Sequence, residues 1–392
     1  MAVDTPAKIA ILGAGPIGLE AALYARYLGY EVDLYERRRV AEHAQRLRHC
    51  RLFTPWSTNV TTLGLAALRA QDESWTPAAD DALLTCGAFL DRYLEPLSKC
   101  DLLADCILEQ TEVLGVGREG VLRDDLVGDD RRIDVPFRIL VRGADGQERI
   151  ERADVVIDCT GAAVPMHLGS GGLPAVGELA CSAHIEYGVP DVLGADRDHY
   201  ADRSTLVVGD DWSAIQTLAA LAELSASAKT TEVLWITRSA NGEDGPTSDV
   251  SVESWPARAA LLRQVNELAS FDGGPVSHFG ATHVERVDYD VPTSKFAVEL
   301  SGRHAGHRAF DRVVAAIGRR ADRRLFAELN VTLKSEADRG DLIQVEPDVY
   351  VLGEKSYDGR GTFVLADGHD QIRRLFAIIG DREGLNLYGT MK

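Results

Sequence analysis

The chain has 392 residues, of which 45% are hydrophobic and 26% are charged. This length predicts two or three domains, and the composition is that of a folded globular protein, which excludes a disordered or fibrous chain. The 61 acidic residues outnumber the 42 basic residues and give a formal net charge of −19, so we expect neither nucleic acid nor an anionic membrane as a partner. No apolar segment reaches the roughly 20 residues of a membrane helix, and the N-terminus lacks the pattern of a secretory signal, so the sequence predicts a cytoplasmic protein.

The first predicted elements are a strand, a glycine turn, a helix and a second strand. They are Lys8–Leu12, then Gly13-Ala14-Gly15-Pro16-Ile17-Gly18, then Leu19–Leu28, then Glu31–Tyr35 ending at Glu36. In this context the G-x-G-x-x-G pattern predicts a dinucleotide site. Gly13 permits a tight turn, Gly15 lets the backbone approach a pyrophosphate, and Gly18 lets the helix pack on the strand. The helix N-terminus attracts the phosphates, and Glu36 is placed to accept hydrogen bonds from a ribose.

The remaining elements repeat this order of parts. A helix over Asp80–Leu103 is followed by predicted strands at Ile107–Val116, Phe137–Arg142 and Glu148–Ile157, the last running into Asp158-Cys159-Thr160-Gly161. The second half has a strand Ser204–Val208, a turn Gly209–Ala214, a helix Ile215–Leu224, a strand Glu232–Thr237 ending at Arg238, and strands Ala281–Tyr289, Phe296–Leu300 and Phe310–Ile317 ending at Gly318. A last strand, Val349–Leu352, precedes Gly353-Glu354 and a helix from about Gly368 to Ile379. This duplication predicts an α/β fold of two Rossmann-like dinucleotide-binding domains, each a three-layer ββα arrangement with a β-meander.

The sequence resembles the two-dinucleotide-binding-domain flavoproteins, which include thioredoxin reductases, disulfide reductases and flavin-containing monooxygenases. The resemblance implies that residues from Gly13 to Glu36, with Pro16, Ile17 and Arg37, bind FAD. It also implies that Thr160 and Gly161 lie against FAD, and that Gly353 and Glu354 hold its ribityl chain. It implies a discontinuous FAD-binding domain, 1–195 with 310–392, and an NAD(P)H-binding-like domain, 196–309.

The branch most similar to this chain is that of the flavin-containing and N-hydroxylating monooxygenases. No pair among the six cysteines has the close spacing of a redox pair; they are Cys50, Cys86, Cys100, Cys106, Cys159 and Cys181. The resemblance implies an NADPH turn containing Gly209, Ser213, Ala214 and Gly318, with Arg238 near the 2′-phosphate. One residue departs from the pattern, because Asp211 stands at the second glycine of that turn. Its carboxylate is a good helix cap but occupies the place of a pyrophosphate, which leaves NADPH binding open.

Three residues are candidates for catalysis. The segment Leu52–Asn59 falls where the family places a loop against the flavin ring, so Leu52 and Phe53 are candidate flavin contacts. Trp56 and Asn59 could line the substrate face, and the alternative is that the loop only packs on FAD. His369, at the predicted start of the last helix, either faces the flavin edge or is simply exposed.

The expected function is that of an FAD-dependent oxidoreductase, an NADPH-dependent enzyme similar to monooxygenases that acts on nitrogen or sulfur of a small molecule. Two alternatives stay open. One is a flavin reductase or oxidase that passes electrons to a partner, and the other is an accessory flavoprotein whose NADPH site has decayed. No metal site is expected, since His304 and His307 stand in a polar turn without further ligands at metal spacing. The sequence leaves the oligomeric state open.

Overall fold

In a computed structural model, the described residues are 7–240, 255–271, 273–333, 342–357 and 363–391. Within them the strands are β1 (Lys8–Leu12), β2 (Glu31–Tyr35), β3 (Ile107–Leu108), β4 (Glu112–Arg118), β5 (Phe137–Arg142), β6 (Glu148–Ala153), β7 (Val155–Asp158), β8 (Val164–Pro165), β9 (Ser204–Val208), β10 (Glu232–Ile236), β11 (Val276–Phe279), β12 (Thr282–Asp290), β13 (Lys295–Gly302), β14 (Gly306–Phe310), β15 (Arg312–Ala315), β16 (Arg319–Arg320) and β17 (Val349–Val351). The α-helices are α1 (Pro16–Tyr27), α2 (Glu42–Arg46), α3 (Trp56–Asn59), α4 (Thr62–Gln71), α5 (Cys86–Phe89), α6 (Glu95–Ser98), α7 (Glu178–Cys181), α8 (Arg197–Tyr200), α9 (Trp212–Ser225), α10 (Pro256–Ser270), α11 (Leu365–Ile379) and α12 (Leu387–Thr390).

The chain divides into two compact units. The first unit is Met1–Ala163 together with Arg320–Lys392, and the second unit is Val164–Arg319. The boundaries expected after residue 195 and before residue 310 therefore differ from those of the units. Residues 164–195 belong to the second unit because the Val176 amide donates to the Glu285 carbonyl of β12, and the Glu186 amide donates to the Val313 carbonyl of β15. Residues 310–319 belong there because β15 pairs with β9.

The first unit has three layers. Its parallel sheet has the strand order β3-β2-β1-β7-β17. Side chains of β1 alternate in direction: Ile9 and Ile11 pack toward a cluster that includes α1 and α11, whereas Ala10 and Leu12 pack toward the antiparallel meander β4-β5-β6. This alternation is the period-two pattern of a strand buried on both faces.

The second unit repeats the arrangement. Its parallel sheet has the order β11-β10-β9-β15, and its antiparallel meander is β12-β13-β14. Val207 and Trp235 pack toward α9 and α10, whereas Val208 and Ile236 pack toward the meander. The expected α/β class, with two Rossmann-like units of three ββα layers and a meander in each, is confirmed.

Several predicted elements have different bounds in the structure. The predicted strand Ile107–Val116 is two strands, β3 and β4, because Gln110 between them has a φ of 52° and turns the chain from the parallel sheet to the meander. The predicted strand Glu148–Ile157 is likewise split into β6 and β7. The predicted helix Asp80–Leu103 is helical only from Cys86 to Ser98 and includes a π-helical turn at Leu90–Leu94. The sequence analysis missed α4, α10 and β11, and α11 begins at Leu365 rather than near Gly368.

Candidate functional site

The turn after β1 leaves open space at one glycine and none at the other two. Gly13 has a φ of 96°, and a Cβ there would lie 2.9 Å from the carbonyl oxygen of Cys159. A Cβ at Gly18 would overlap the carbonyl oxygen of Gly13. A Cβ at Gly15 would meet no atom within 4 Å. Gly13 and Gly18 are therefore glycines because the backbone is crowded, whereas Gly15 borders free space.

The N-terminus of α1 carries no side-chain cap. Gly15 is the N-cap residue, the next residue is Pro16, and the first turn contains no acidic side chain. The amides of Ile17 and Gly18 lie in the first turn, where an α-helix offers them no acceptor. Together with the positive end of the helix dipole, they form a place for an anion beside the open space at Gly15.

The carboxylate of Glu36 lies beside the same turn. Its Oε2 accepts a hydrogen bond from the Ala14 amide at 3.0 Å, and its Oε1 accepts one from the Arg38 amide at 2.9 Å. Burial raises the pKa of Glu36, while these amides and the nearby charge of Arg37 oppose that rise. Each oxygen keeps a further lone pair for a ribose hydroxyl.

The turn after β7 is held by a buried lysine that the sequence analysis missed. Asp158 Oδ1 accepts hydrogen bonds from the amide and the hydroxyl of Thr160, at 2.8 and 2.6 Å. Asp158 Oδ2 forms an ion pair with Lys355, whose Nζ also donates to Thr160 Oγ1 at 3.0 Å. Both charged side chains are at most 1% exposed. No spacing pattern in the sequence marks Lys355, because its partners lie almost 200 residues away. Gly161 follows Thr160 in the turn after β7 and has a φ of 67°.

The turn after β17 packs on the start of α1. Gly353 has a φ of 73°, and its amide donates to Gln371 Oε1 of α11 at 2.7 Å. A Cβ at Gly368 would overlap the side chain of Ile17, so this position favours glycine, a packing role that the sequence alone does not show. The side chain of Glu354 is exposed. The structure thus brings Gly353, Ile17 and α11 together at the switch point of the sheet, where α/β folds bind ligands.

The structure places two of the catalytic candidates in the packing of the loop. Trp56 is 1% exposed, and its ring makes edge contacts with the rings of Phe89 and Tyr93 at 6.2 and 5.8 Å. Asn59 is buried, and its amide side chain contacts only Thr54 in the described hydrogen bonds: Oδ1 accepts from the hydroxyl at 2.6 Å and Nδ2 donates to the carbonyl at 3.0 Å. These contacts favour the alternative that the loop only packs on FAD, and a place for Trp56 and Asn59 on the substrate face stays a prediction. Leu52, whose amide donates to the Leu84 carbonyl, and Phe53 remain partly exposed.

His369 is buried in the second turn of α11 and is not exposed at the helix start. Burial lowers its pKa to about 4, so the imidazole is neutral at physiological pH. Its ring lies edge-on to that of Tyr388 at 6.2 Å. Because α11 begins one turn earlier than predicted, His369 lies in its second turn and is buried there. A contact between His369 and the flavin edge stays a prediction.

The equivalent turn of the second unit is capped by its own side chain. Gly209 has a φ of 128°, and a Cβ there would overlap the carbonyl oxygen of Ala316. Asp211 is the N-cap residue of α9, and its Oδ1 accepts hydrogen bonds from the amides of Ser213 and Ala214 at 2.9 and 3.2 Å. Burial raises the pKa of Asp211 to about 6. Arg238, two residues after β10, is exposed.

Two cysteines that are far apart in the sequence are neighbours in the structure. The Cys86 amide donates to the Cys50 carbonyl at 2.8 Å, beside an antiparallel bridge between Arg51 and Thr85. Both cysteines are reduced, the Cys50 thiol lies 3.4 Å from His49 Nε2, and burial raises the pKa of Cys86 to about 11. Sequence spacing does not reveal such a pair.

In the described part of the chain, no helix is long and apolar enough to cross a membrane. No group of three or more His, Cys, Asp or Glu residues in that part could hold a metal ion.

No protein-family profile and no curated protein sequence matches the chain. Solved structures do match it over nearly its whole length. Bacillithiol disulfide reductase Bdr (YpdA) from Bacillus cereus is 16% identical, with a TM-score of 0.68, and the match covers 96% of this chain and 99% of that one. DfoA, the cadaverine monooxygenase from Erwinia amylovora, is 14% identical, with a TM-score of 0.67, over 98% and 96%. Ornithine hydroxylase PvdA from Pseudomonas aeruginosa is 14% identical, with a TM-score of 0.64, over 96% and 99%. The fold is that of the two-domain flavoproteins. A disulfide reductase, a cadaverine monooxygenase and an ornithine hydroxylase all share it.

Proposed function

We propose that this protein is an FAD-dependent oxidoreductase whose first unit holds FAD. The observation that carries the proposal is the uncapped turn at Gly15, with open space above the free amides of α1 and a carboxylate, Glu36, at the end of β2. DfoA, which shares the fold, was solved with FAD bound. The same combination of an open glycine turn, a helix N-terminus and an acidic residue suits the pyrophosphate and ribose of a dinucleotide.

The residues present fit FAD. The amides of Ile17 and Gly18 would bind the pyrophosphate, and Glu36 would bind the adenosine ribose, with the charge of Arg37 nearby. The turns at Thr160–Gly161 and Gly353–Glu354 would border the rest of the cofactor, and the N-terminal end of α11 would favour negative charge on it. When bound, FAD supplies electron and hydride transfer, and the protein supplies position and exclusion of water.

We further propose a monooxygenation, in which one oxygen atom of O₂ would be transferred to nitrogen or sulfur of a small molecule, the other atom would leave as water, and reduced pyridine nucleotide would supply the two electrons. The names of DfoA, a cadaverine monooxygenase, and of KtzI, an ornithine N-hydroxylase, suggest such a reaction for those proteins. Thiol chemistry is less favoured by the described cysteines. Burial raises the pKa of Cys86, Cys100, Cys106, Cys159 and Cys181, which disfavours the reactive thiolate. Reduced pyridine nucleotide would enter at the second unit, near Gly209, Ser213, Ala214 and Gly318, with Arg238 placed for a 2′-phosphate.

A disulfide reductase is the second candidate function, because Cys50 and Cys86 are backbone neighbours. Residues paired across antiparallel strands have Cα atoms about 4.5–5.5 Å apart, which lies within the range of a disulfide. In that case both Cys50→Ser and Cys86→Ser would abolish turnover with a disulfide substrate. If monooxygenation is correct, both variants retain the NADPH- and oxygen-dependent reaction.

The test of FAD binding is the Gly15→Asp variant. This variant places an aspartate at the N-cap of α1, as Asp211 stands at the N-cap of α9 in the second unit. The open space at Gly15 accommodates the new side chain. We expect purified wild type to be yellow with non-covalent FAD and the variant to be colourless, because the new carboxylate would take the amides and repel the pyrophosphate. The measurement is flavin absorbance per mole of folded protein.

Gly384→Asp is the matched control, since Gly384 is exposed and also has no atom within 4 Å of a built Cβ. It should retain full FAD. A folded Gly15→Asp variant with wild-type FAD content would overturn the assignment of this turn. Anaerobic addition of NADPH, followed by oxygen and by mass spectrometry of amine and thioether substrates, then tests the finer proposal.

A further inference from the structure

We infer that Asp211 weakens nucleotide binding by the second unit, because its carboxylate competes for the amides that the pyrophosphate of NAD(P)H would use. Asp211 is then the residue that sets the affinity of this unit for a dinucleotide. The inference rests on the proposed role of the second unit in nucleotide binding and not on FAD binding by the first unit.

The two turns of the chain have the same backbone shape. Gly15 has φ and ψ of −78° and −175°, and Asp211 has −90° and −176°. Each residue is the N-cap of the helix that follows the first strand of its parallel sheet. Each turn also begins with a glycine of positive φ. Gly13 packs against the Cys159 carbonyl after β7, and Gly209 packs against the Ala316 carbonyl after β15. The backbone for binding a dinucleotide is therefore present in both units.

The side chain at the N-cap is what differs. At α1 no side chain caps the helix, whereas at α9 Asp211 Oδ1 accepts from the amides of Ser213 and Ala214. These two amides correspond to those of Ile17 and Gly18 in the first unit. A phosphate that binds at the N-terminus of α9 would have to displace the Asp211 carboxylate from these amides.

The second carboxylate oxygen of Asp211 extends toward the far side of the same crevice. A Cβ built at Gly318, which follows β15, would lie 3.2 Å from Asp211 Oδ2. In the sheet order β11-β10-β9-β15, the strands β9 and β15 flank the switch point, where doubly wound folds bind dinucleotides. The carboxylate thus lies across the position that a dinucleotide would take. Asp210 adds a second acidic residue beside it and raises its pKa.

The test is direct binding of NADP⁺ and of ADP-ribose to the FAD-loaded protein at pH 8, measured by calorimetry, for wild type, Asp211→Gly and Asp211→Asn. We expect Asp211→Gly to lower the Kd by about ten- to a hundredfold. A charge-assisted hydrogen bond to phosphate and the repulsion of one unit charge are each worth about a factor of ten. Glycine is a favoured N-cap residue, and Gly15 adopts the same backbone conformation in this chain, so the variant should fold.

Asp211→Asn separates the two causes, since asparagine caps the same amides without a charge. We expect its Kd to lie between those of wild type and Asp211→Gly. The inference is overturned if wild type binds within twofold of Asp211→Gly, or if Asp211→Gly binds neither probe. FAD content, read from flavin absorbance in the same samples, reports on the proposed function separately: colourless wild type would refute FAD binding, and the calorimetric comparison of the three proteins would still decide the role of Asp211.

Discussion

Some residues of the predicted site contact atoms close to them in the chain, whereas others contact side chains far away in the sequence. Gly13 and Gly18 are required by atoms of the same turn or of the strand beside it, so a short pattern identifies them. Trp56 and His369 depend on side chains that are distant in the chain, such as Tyr93 and Tyr388. The pattern around each residue gives no information on these partners, so the catalytic roles expected of Trp56 and His369 stay predictions.

The structure makes Trp56 a core residue. We expect Trp56→Ala to lower the free energy of unfolding by about 3–5 kcal/mol, because it leaves a cavity beside Phe89 and Tyr93. Trp56→Phe should cost less, because a ring still fills part of the space. The measurement is denaturant unfolding together with turnover per bound FAD. Wild-type stability with a strongly reduced turnover would return Trp56 to the substrate face.

At the scale of elements, the sequence predicted strands and helices that alternate around glycine turns, and failed where a predicted strand is divided between two sheets. The predicted strand Ile107–Val116 is interrupted by the polar residues Glu109–Glu112, and only the structure shows that its two parts pair in different sheets. The helix α4 was missed because its buried positions, Leu63, Gly64 and Leu68, are too few to give a clear helical period.

The start of α4 is tied to α1 through a buried acid. Glu20 of α1 accepts hydrogen bonds from the hydroxyls of Tyr93 and Thr61, the latter at 2.9 Å, and Thr61 caps α4 by accepting from the Gly64 amide. Burial raises the pKa of Glu20 to about 7 from 4.5. The folded state therefore keeps a proton that the unfolded state releases between these pH values. The contribution of protonated Glu20 to the stability of the folded state is complete below pH 4.5 and is lost as the pH rises toward 7.

We predict that wild type loses stability relative to Glu20→Gln as the pH rises. Between pH 5.5 and 8 the relative loss should be about 2 kcal/mol, because glutamine does not ionise; its oxygen can accept from one hydroxyl and its amide N–H can donate to the other. The measurement is urea unfolding of the two proteins across this range. Glu73→Gln is the control, since Glu73 is exposed and the same chemical change should leave the pH profile unaltered. Parallel profiles for wild type and Glu20→Gln would contradict the prediction.

At the scale of the molecule, the sequence predicted two units of the same design, with expected boundaries that differ from those of the two compact units. The predicted strand Phe310–Ile317 falls inside the expected FAD-binding range 310–392, whereas β15 within it pairs with β9. Strand pairing over 100 residues of separation leaves no mark in local composition. For the same reason, the sequence does not predict the contacts between residues 320–391, here called the returning segment, and the rest of the first unit.

Those contacts combine strand pairing with buried charge. In the returning segment, β17 pairs with β7, from Val349 with Val156 to Val351 with Asp158. Lys355 then forms its ion pair with Asp158 at the end of β7, with both side chains at most 1% exposed. Removing the lysine would leave a buried, unpaired carboxylate, which costs more than the pair itself contributes.

We therefore predict that Lys355→Met lowers the free energy of unfolding of the first unit by about 3–5 kcal/mol, and that adding Asp158→Asn restores part of the loss. Each unit has its own hydrophobic clusters, so calorimetry should show the transition of the first unit moving and that of the second unit unchanged. Lys99→Met is the matched control: Lys99 pairs with Glu95 at 3.1 Å on the surface, where an ion pair is worth at most about 1 kcal/mol. If Lys355→Met were as stable as Lys99→Met, the buried pair would not be what joins the returning segment to the sheet.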